Sequence, residues 1–412
     1  MRIAVISPFL DRHHGTERCI IEQLERFPVE AGDEIHIYSQ RVQDVHGVIR
    51  YKSGAAAAAG QNRFWHKVAS LPGPHLFQYL FWFYANTISR WRSANSGVKS
   101  GLVYSPGINA SSADAIAVHV VFQELYPLVF SKHRFRDTPA RDWPRLIHRR
   151  LYYRLIMALE KKIYRRPDVS LAAVSVKVSK QLARHFQRQD VRVIHHGVDT
   201  EDFSVLRRSA ARPEARKQLG LSGVDFILLL IGNDFKNKGL DALLRALAEL
   251  RDLPWKLLVV GDDVRSGYEH VLRDLGIAAR VLILQPLPDV LQFYAAADAY
   301  VGPSLEDAFG LPVLEAMACG LPVVCSAQAG VSEVVSNGLD GIILNDPQDA
   351  QEIASVLRSL MMDIALCKRL GAQGAITARE HSWNRNAVAA WEWLCEVDRK
   401  KNGPRQPTVK AV

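Results

Sequence analysis

Short apolar runs alternate with segments of helical periodicity through the second half of this chain. Six runs have the length of buried strands, at residues 226–231, 256–261, 280–284, 299–301, 322–325 and 341–344. Strands that alternate with helices are typical of a parallel sheet covered on both faces, and ligands of such sheets bind beyond the carboxyl ends of the strands. The pattern predicts an α/β domain with a binding site at that edge of the sheet.

The first half of the chain shows the same alternation less regularly. Its strand candidates are residues 2–7, 34–39, 102–104, 115–119, 169–174 and 191–194. A length of 412 residues with 48% hydrophobic content is sufficient for two large cores. We therefore expect a second Rossmann-like domain in this half.

A segment at residues 76–88 carries aromatic and aliphatic side chains at helical spacing. The stripe continues to Trp91 and comprises Phe77, Leu80, Phe81, Tyr84 and Ile88, widened by Trp82 and Phe83. Polar Gln78 and Asn86 interrupt it, so it lacks the ~20 apolar residues of a membrane-spanning helix. Two interpretations stay open: a core helix of the first domain, or a partly exposed helix that lies in a membrane interface.

Positive charge is concentrated in the first half. Residues 1–200 hold 29 Lys and Arg against 16 Asp and Glu, and residues 132–166 hold 12 basic groups against three acids. A block of this density is a solvated helix face or binds an anionic partner such as acidic lipid, a phosphorylated glycan or nucleic acid. We favour an anionic membrane surface, and nucleic acid is unlikely because no zinc-finger, RNP or KH signature accompanies the charge.

The cysteine pattern favours a reducing compartment. Five cysteines are scattered without close pairs, which argues against a disulfide framework or a zinc site. The first residues form a strand pattern without a long apolar region or a small-residue cleavage site. We expect a cytoplasmic protein that can associate peripherally with the inner face of the cytoplasmic membrane.

The most informative segment is residues 304–320, which places two carboxylates, Asp307 and Glu315, on either side of a turn that opens a helix. In that turn Phe309, Gly310 and Leu311 can offer unpaired amides and the positive end of the helix dipole to a diphosphate. The carboxylates can bind hydroxyl-rich groups at its two ends. The chemistry fits a nucleotide-sugar, although a solvated loop and an amphipathic helix would show the same residues.

A second phosphate-directed segment lies at residues 231–239, between a strand pattern and a helical pattern. Lys238 at the mouth of this Gly-bearing loop can donate to a diphosphate. Asn233 and Lys236 belong to the same loop. A lysine in a loop is usually a solvated surface residue, but its position after a strand-ending glycine favours a ligand role.

These two segments resemble the motifs of the retaining glycosyltransferases of family four, E-x(7)-E and roughly G-R-x(4)-K-G. Asp307 replaces the usual first Glu and Asn233 replaces the usual Arg. The resemblance implies the GT-B architecture, which is an α/β fold with two Rossmann-like domains facing across a cleft. It also implies donor binding by Gly15, in the loop after the first strand, and places His119 next to the transferred sugar.

The resemblance further implies the domain limits. Residues 195–203 resemble the family's segment before the linker, so we predict an N-terminal acceptor-side domain at 1–203 and a nucleotide-sugar-binding domain at 204–382. A helix at 383–400 is expected to complete the first domain, followed by a tail at 403–412. The alanine-rich stretch at 55–59 is predicted to be a loop.

The function implied is transfer of a hexosyl group from a nucleoside-diphosphate sugar to a glycan or lipid-linked acceptor, with retention at the anomeric carbon. The expected catalytic groups are His119, Lys238 and Asp307, and no metal or other cofactor is expected, because the adjacent Asp262 and Asp263 lack a third ligand. The segment at residues 232–239 resembles that of enzymes that add hexoses to the core of lipopolysaccharide, which we take as the leading interpretation. Alternatives are a sugar-nucleotide epimerase of the same fold and a non-catalytic nucleotide-sugar-binding module.

Overall fold

The computed structural model describes residues 1–12, 15–30, 32–51, 61–98, 100–130, 139–287 and 289–403. Contacts divide the chain into two compact units, Met1–His195 with Asn386–Val412 (unit 1) and His196–Arg385 (unit 2). The predicted loop at 55–59, the basic residues at 132–136 and the tail from 404 onward lie outside the described residues.

The strands of unit 1 are β1 Arg2–Ile6, β2 Phe9–Leu10, β3 Glu34–Ser39, β4 Arg41–Val42, β5 Ile49–Arg50, β6 Arg63–Lys67, β7 Leu102–Pro106, β8 Ala115–Val118, β9 Ser170–Ala173 and β10 Val191–Val193. Eight of them form a sheet of order β10-β9-β8-β7-β1-β3-β6-β5, whose strand pairs are parallel. A second, two-stranded sheet pairs β2 with β4. The helices are α1 Gly15–Arg26, α2 His75–Asn95, α3 Phe122–Phe130, α4 Trp143–Tyr164 and α5 Val176–Phe186.

The strands of unit 2 are β11 Phe226–Ile231, β12 Trp255–Val260, β13 Val281–Leu284, β14 Ala299–Gly302, β15 Val323–Ser326 and β16 Ile342–Leu344. They form a parallel sheet of order β13-β12-β11-β14-β15-β16. Its helices are α6 Val205–Gln218, α7 Leu240–Ala248, α8 Ser266–Asp274, α9 Leu291–Ala296, α10 Leu311–Ala318, α11 Ala350–Met362 and α12 Ile364–Glu380. The strand order reverses between β11 and β14, and such a reversal is the usual ligand position in open parallel sheets.

The last helix, α13 Trp383–Asn402, belongs to unit 1 from Asn386 onward. Its apolar face is part of the unit 1 core, where Ala387, Trp391 and Leu394 join Ile3 and Val5 in one buried cluster. The bulky apolar residues near the C-terminus therefore contribute to a core whose first strand is β1.

The predicted fold class is confirmed by these two parallel sheets. All six strands predicted in the second half are present, with bounds that differ by at most one residue. The first half contains strands that the sequence pattern missed, chiefly β6, because Arg63, His66 and Lys67 break its apolar run. Such a strand is recognised only through its pairing with β3.

Helix α2 is buried on one side and exposed on the other. Trp82 and Asn86 are buried, whereas Tyr84 is 65% exposed and Trp91 is 64% exposed. The helix thus contributes to the core with one face and is exposed on the other, and a position in a membrane interface stays a prediction. Among the described helices, none combines the length and the apolar character that crossing a membrane requires.

The turn before α7 depends on Gly239, and we expect Gly239→Ala to destabilise unit 2. The backbone φ is +78°, and an added Cβ would lie 1.9 Å from the carbonyl oxygen of Pro303. The left-handed conformation alone costs a non-glycine residue about 1–3 kcal/mol, and the clash adds to this cost. Urea unfolding should show a lower midpoint than for the unaltered protein.

Gly338→Ala is the matched control, because Gly338 has a φ of +77° with nothing within 4 Å of an added Cβ. It should lose only the conformational contribution. Equal losses for the two variants would contradict the role of the close approach to Pro303.

Candidate functional site

The candidate site lies where the loops that follow β11 and β14 meet. These strands are neighbours in the sheet of unit 2, so their carboxyl ends bring the two loops together. Asn237 joins the loops twice: its carbonyl accepts the Leu305 amide at 2.7 Å, and its side-chain amide donates to the Glu306 carbonyl at 2.8 Å. The lysine loop and the carboxylate loop therefore form one structure.

Lys238 and Asp307 are paired directly at this junction. The Nζ of Lys238 lies 2.5 Å from Oδ2 of Asp307, and the side chains are 19% and 17% exposed. The lysine stem packs against Gly232, where an added Cβ would lie 2.6 Å from Cε of Lys238. The structure thus brings together two of the predicted catalytic groups, with the glycine leaving room for the lysine.

The turn before α10 differs in one detail from the expectation. Oδ1 of Asp307 accepts the Phe309 amide at 3.3 Å, so the prediction that this amide is unpaired is wrong. The carboxylate of a residue two positions earlier satisfies it, as in an Asx-turn. Gly310 has a φ of +104° and precedes Leu311, the first residue of α10, so the start of the helix and its dipole lie beside Asp307.

Glu315 is held by a partner that the sequence did not indicate. The hydroxyl of Tyr294 donates to Oε2 of Glu315 at 2.6 Å, and both side chains are buried. Burial, assisted by the Glu315 carboxylate, raises the pKa of Tyr294 well above its ordinary value. The phenol therefore keeps its proton and acts as a donor that orients the carboxylate.

Asn233, Asp262 and Asp263 form hydrogen bonds that connect two loops at the edge of the site. Oδ1 of Asn233 accepts the Asp262 amide at 3.1 Å, which joins the loop after β11 to the loop after β12. The Asp263 carboxylate accepts the Phe235 amide at 2.9 Å and the Val264 amide at 2.6 Å. Its two oxygens therefore have backbone partners in both loops, Phe235 after β11 and Val264 after β12.

The two predicted residues of the first half lie in unit 1. Gly15 is the first residue of α1 and is exposed. His119 follows β8, is buried, and lines a small cavity together with Cys19, Tyr104 and Trp393. Burial lowers the pKa of His119 to about 4, so its imidazole is neutral at physiological pH.

Asn237 and Tyr294 were missed by the sequence reasoning for different reasons. Asn237 stands inside the recognised lysine segment, but its role depends on a loop 69 residues away in the chain. A tyrosine in an apolar helix such as α9 predicts core packing, and its bond to a residue 21 positions later is visible only in the fold. The useful signal in the sequence was the segment rather than the individual residue.

Comparison with known proteins gives matches over both halves of the chain. The family model described as Glycosyltransferase Family 4 matches residues 14–202, and the model described as Glycosyl transferases group 1 matches residues 211–376. The D-inositol 3-phosphate glycosyltransferase of Rhodococcus jostii (strain RHA1) is 34% identical over 231 residues, which are 53% of this chain and 50% of the relative. A second such enzyme, from Catenulispora acidiphila, is 35% identical over 208 residues, 47% of this chain and 49% of its own length. The chain spans about half the length of the curated relatives it matches.

Solved structures agree with the fold over almost the whole chain. WaaG, a glycosyltransferase involved in lipopolysaccharide biosynthesis, is 18% identical with a TM-score of 0.67 and covers 98% of this chain and 100% of its own. Sucrose-phosphate synthase from Thermosynechococcus elongatus is 19% identical with a TM-score of 0.73 over 96% and 99% of the two chains. Anabaena HepE in complex with UDP-glucose is 18% identical with a TM-score of 0.66 over 96% and 98%. At these identities the likeness concerns the fold, and it confirms the predicted two-domain α/β architecture.

Tyr294→Phe should weaken binding of the nucleotide-sugar that the sequence predicts as the ligand, without unfolding the protein. The variant removes the donor to Glu315 and leaves the ring in place, and a lost hydrogen bond of this kind is worth roughly 1 kcal/mol, or about fivefold in affinity. Isothermal titration with the preferred donor measures the change.

Tyr268→Phe is the control, because it removes from unit 2 a hydroxyl that bonds to Asp241 rather than to Glu315. An equal loss of affinity in both variants would contradict a specific role for Tyr294.

Proposed function

This chain belongs to the family-four glycosyltransferases of GT-B architecture, and from that premise we propose that it transfers a hexosyl group from a nucleoside-diphosphate sugar to an acceptor hydroxyl. The observation that carries the proposal is the meeting of Lys238, Asp307 and the start of α10 at one point of unit 2. A cation, a carboxylate and a helix N-terminus together suit a ligand with a diphosphate and a hydroxyl-rich group.

The proposed barrier is departure of the nucleoside diphosphate. Negative charge grows on its oxygens as the glycosidic bond breaks, so donors that are fixed in advance stabilise the transition state more than the ground state. Lys238, the amides of Gly310 and Leu311, and the dipole of α10 are the proposed donors. We propose that the reaction needs no metal ion or other cofactor, since these groups supply the positive potential.

Retention at the anomeric carbon is part of the proposal. In a same-face reaction the leaving phosphate accepts the proton of the acceptor hydroxyl while the sugar passes to the acceptor oxygen. Asp307 would bind hydroxyls of the transferred sugar, and Glu315 would bind the ribose. His119, neutral because of its burial, would position the sugar or polarise a hydroxyl rather than act as a nucleophile.

The acceptor that we propose is a glycan or lipid-linked molecule of lipopolysaccharide or polysaccharide assembly. The fold likeness to WaaG supports this choice, and the complexes of HepE with UDP and UDP-glucose support a nucleotide-sugar donor. Inositol 3-phosphate is a second acceptor to test, because the curated relatives are named for it.

The test is release of free nucleoside diphosphate from UDP-, GDP- and ADP-sugars, with and without membrane extract or inositol 3-phosphate, followed by mass analysis of the product. Acceptor-dependent release and a glycosylated product support transfer. Conversion of the donor without any acceptor would indicate an epimerase. A thermal shift with no turnover would indicate a binding module.

For the acceptor side we propose that unit 1 binds an anionic membrane surface through α2 and α4. Helix α2 presents the exposed side chains of Phe77, Leu80, Tyr84 and Trp91, spaced by three, four and seven residues along one stripe. Helix α4 adds exposed Trp143, Ile147 and Leu151 at intervals of four. The two stripes are adjacent, because the Phe77 and His148 rings lie 6.2 Å apart and the Leu76 amide donates to His148.

Charge favours an anionic lipid surface as the occupant of this face. Helix α2 contains no acidic residue, and the single acid of α4, Glu160, is buried. Burial raises the pKa of Glu160 to about 8, so it adds little negative charge at neutral pH. Arg145, Arg149 and Arg154 are also exposed on α4. Basic residues beside exposed aromatic side chains are typical of helices that lie in a membrane interface.

Lys238→Ala should weaken donor binding by roughly 1.5–3 kcal/mol, the usual worth of a hydrogen bond to a charged group. The variant removes the proposed phosphate cation and the ion pair that it forms with Asp307. Isothermal titration with the preferred nucleotide-sugar measures the loss.

Lys236→Ala is the matched control, since it removes an exposed lysine of the same loop. Its donor affinity should stay within about 0.5 kcal/mol of the unaltered protein, as is usual for exposed positions. Unchanged affinity in Lys238→Ala would remove Lys238 from the phosphate site.

Replacement of Arg145, Arg149 and Arg154 by Gln should reduce binding to vesicles that contain anionic lipid, as should replacement of Phe77, Tyr84 and Trp91 by Ser. Each neutralised cation removes about 1 kcal/mol of attraction to an anionic bilayer. Vesicle sedimentation at two salt concentrations separates the contributions, because only the electrostatic one weakens with salt.

The control replaces Arg245, Arg273 and Arg379, three exposed arginines of unit 2, by Gln. It has the same change in net charge and should leave vesicle binding intact. Undiminished vesicle binding in both unit 1 variants would overturn the membrane proposal, and binding of acidic protein or nucleic acid in place of vesicles would replace it.

A further inference from the structure

Lys238 and Asp307 are the two side chains proposed to bind the nucleotide-sugar, and in this structure they are bound to each other. Asp307 is anchored by its backbone, because its carbonyl accepts the Gly330 amide at 3.1 Å, and by Oδ1, which accepts the Phe309 amide. The remaining oxygen, Oδ2, lies 2.5 Å from Nζ of Lys238. The carboxylate is thus fixed in place, and the lysine already has an anionic partner.

A diphosphate that enters this site competes with Asp307 for Lys238. A bare nucleoside diphosphate can take the lysine but offers Oδ2 no hydrogen-bond donor in exchange, and its phosphate charge comes close to the carboxylate. A nucleotide-sugar offers hydroxyl donors to the same oxygen. The cost of separating the pair is therefore offset for the sugar-bearing ligand alone.

We propose that Asp307 is an internal competitor for Lys238 and determines the preference of the site for a nucleotide-sugar over the nucleoside diphosphate that remains after transfer. The inference rests on the proposed function, since it takes Lys238 as the phosphate cation. It adds to that function a specificity role for Asp307 and a reason for the product to leave. Because the paired groups are only partly exposed, the competition is less screened than at an open surface.

The test is isothermal titration of UDP, GDP and ADP, and of their glucose conjugates, into the unaltered protein and Asp307→Asn. Asparagine keeps an oxygen for the Phe309 amide and removes the charge that faces Lys238. The nucleoside diphosphate should bind Asp307→Asn roughly three- to tenfold more tightly, the range expected for a charge-assisted bond between partly buried groups. The nucleotide-sugar should gain less or lose affinity, so the ratio of the two affinities should fall.

Glu306→Gln is the matched control, because it removes the same charge from the neighbouring side chain. It should leave the ratio of the two affinities near that of the unaltered protein. Asp307→Ala is a second variant that removes the competitor entirely, and it should also bind the nucleoside diphosphate more tightly. It keeps the test valid if Asp307→Asn fails to fold.

Equal or weaker binding of the nucleoside diphosphate by both Asp307 variants would overturn the inference while leaving the proposed function intact. The same tightening in Glu306→Gln would also overturn it, because general charge rather than the specific pair would then be responsible. Absence of binding by all three nucleoside diphosphates and their conjugates to the unaltered protein would instead contradict the proposed function.

Discussion

The pairing of β11 with β14 is the constraint on which the candidate site depends. The two strands are neighbours at the point where the strand order of unit 2 reverses, and the loops that follow them start from the same edge of the sheet. Asn237 then joins these loops by hydrogen bonds from both its backbone and its side chain. Lys238 and Asp307, 69 residues apart in sequence, meet as a consequence.

Backbone geometry maintains this junction at close range. Gly239 approaches the Pro303 carbonyl so closely that no side chain fits, and Gly232 leaves the space through which the lysine stem passes. The functional side chains are therefore positioned by glycines and by an asparagine that have no charge of their own. Positioning before the ligand arrives is what makes fixed charges effective in catalysis.

The sequence by itself determined the fold class and the segments of the candidate site. Apolar runs of strand length separated by helices leave few alternatives to a parallel sheet, because such strands must be buried on both faces. The segments at 231–239 and 304–320 could be recognised because Gly, Lys and paired carboxylates near strand ends are local features. Strand β6 was missed because its polar residues interrupt the apolar run by which a strand is recognised. Its pairing with β3 depends on residues that are distant in the sequence.

Only the tertiary structure decided the partners. The Tyr294–Glu315 bond, the Lys238–Asp307 pair and the use of the Phe309 amide by Asp307 all depend on side-chain directions that a loop or a helix acquires after packing. For α2, the periodicity predicts a helix, but only the packing determines which of its aromatic side chains are buried. Residue type and spacing fix what an element can bury or bind, whereas contacts between distant segments follow from how the elements pack.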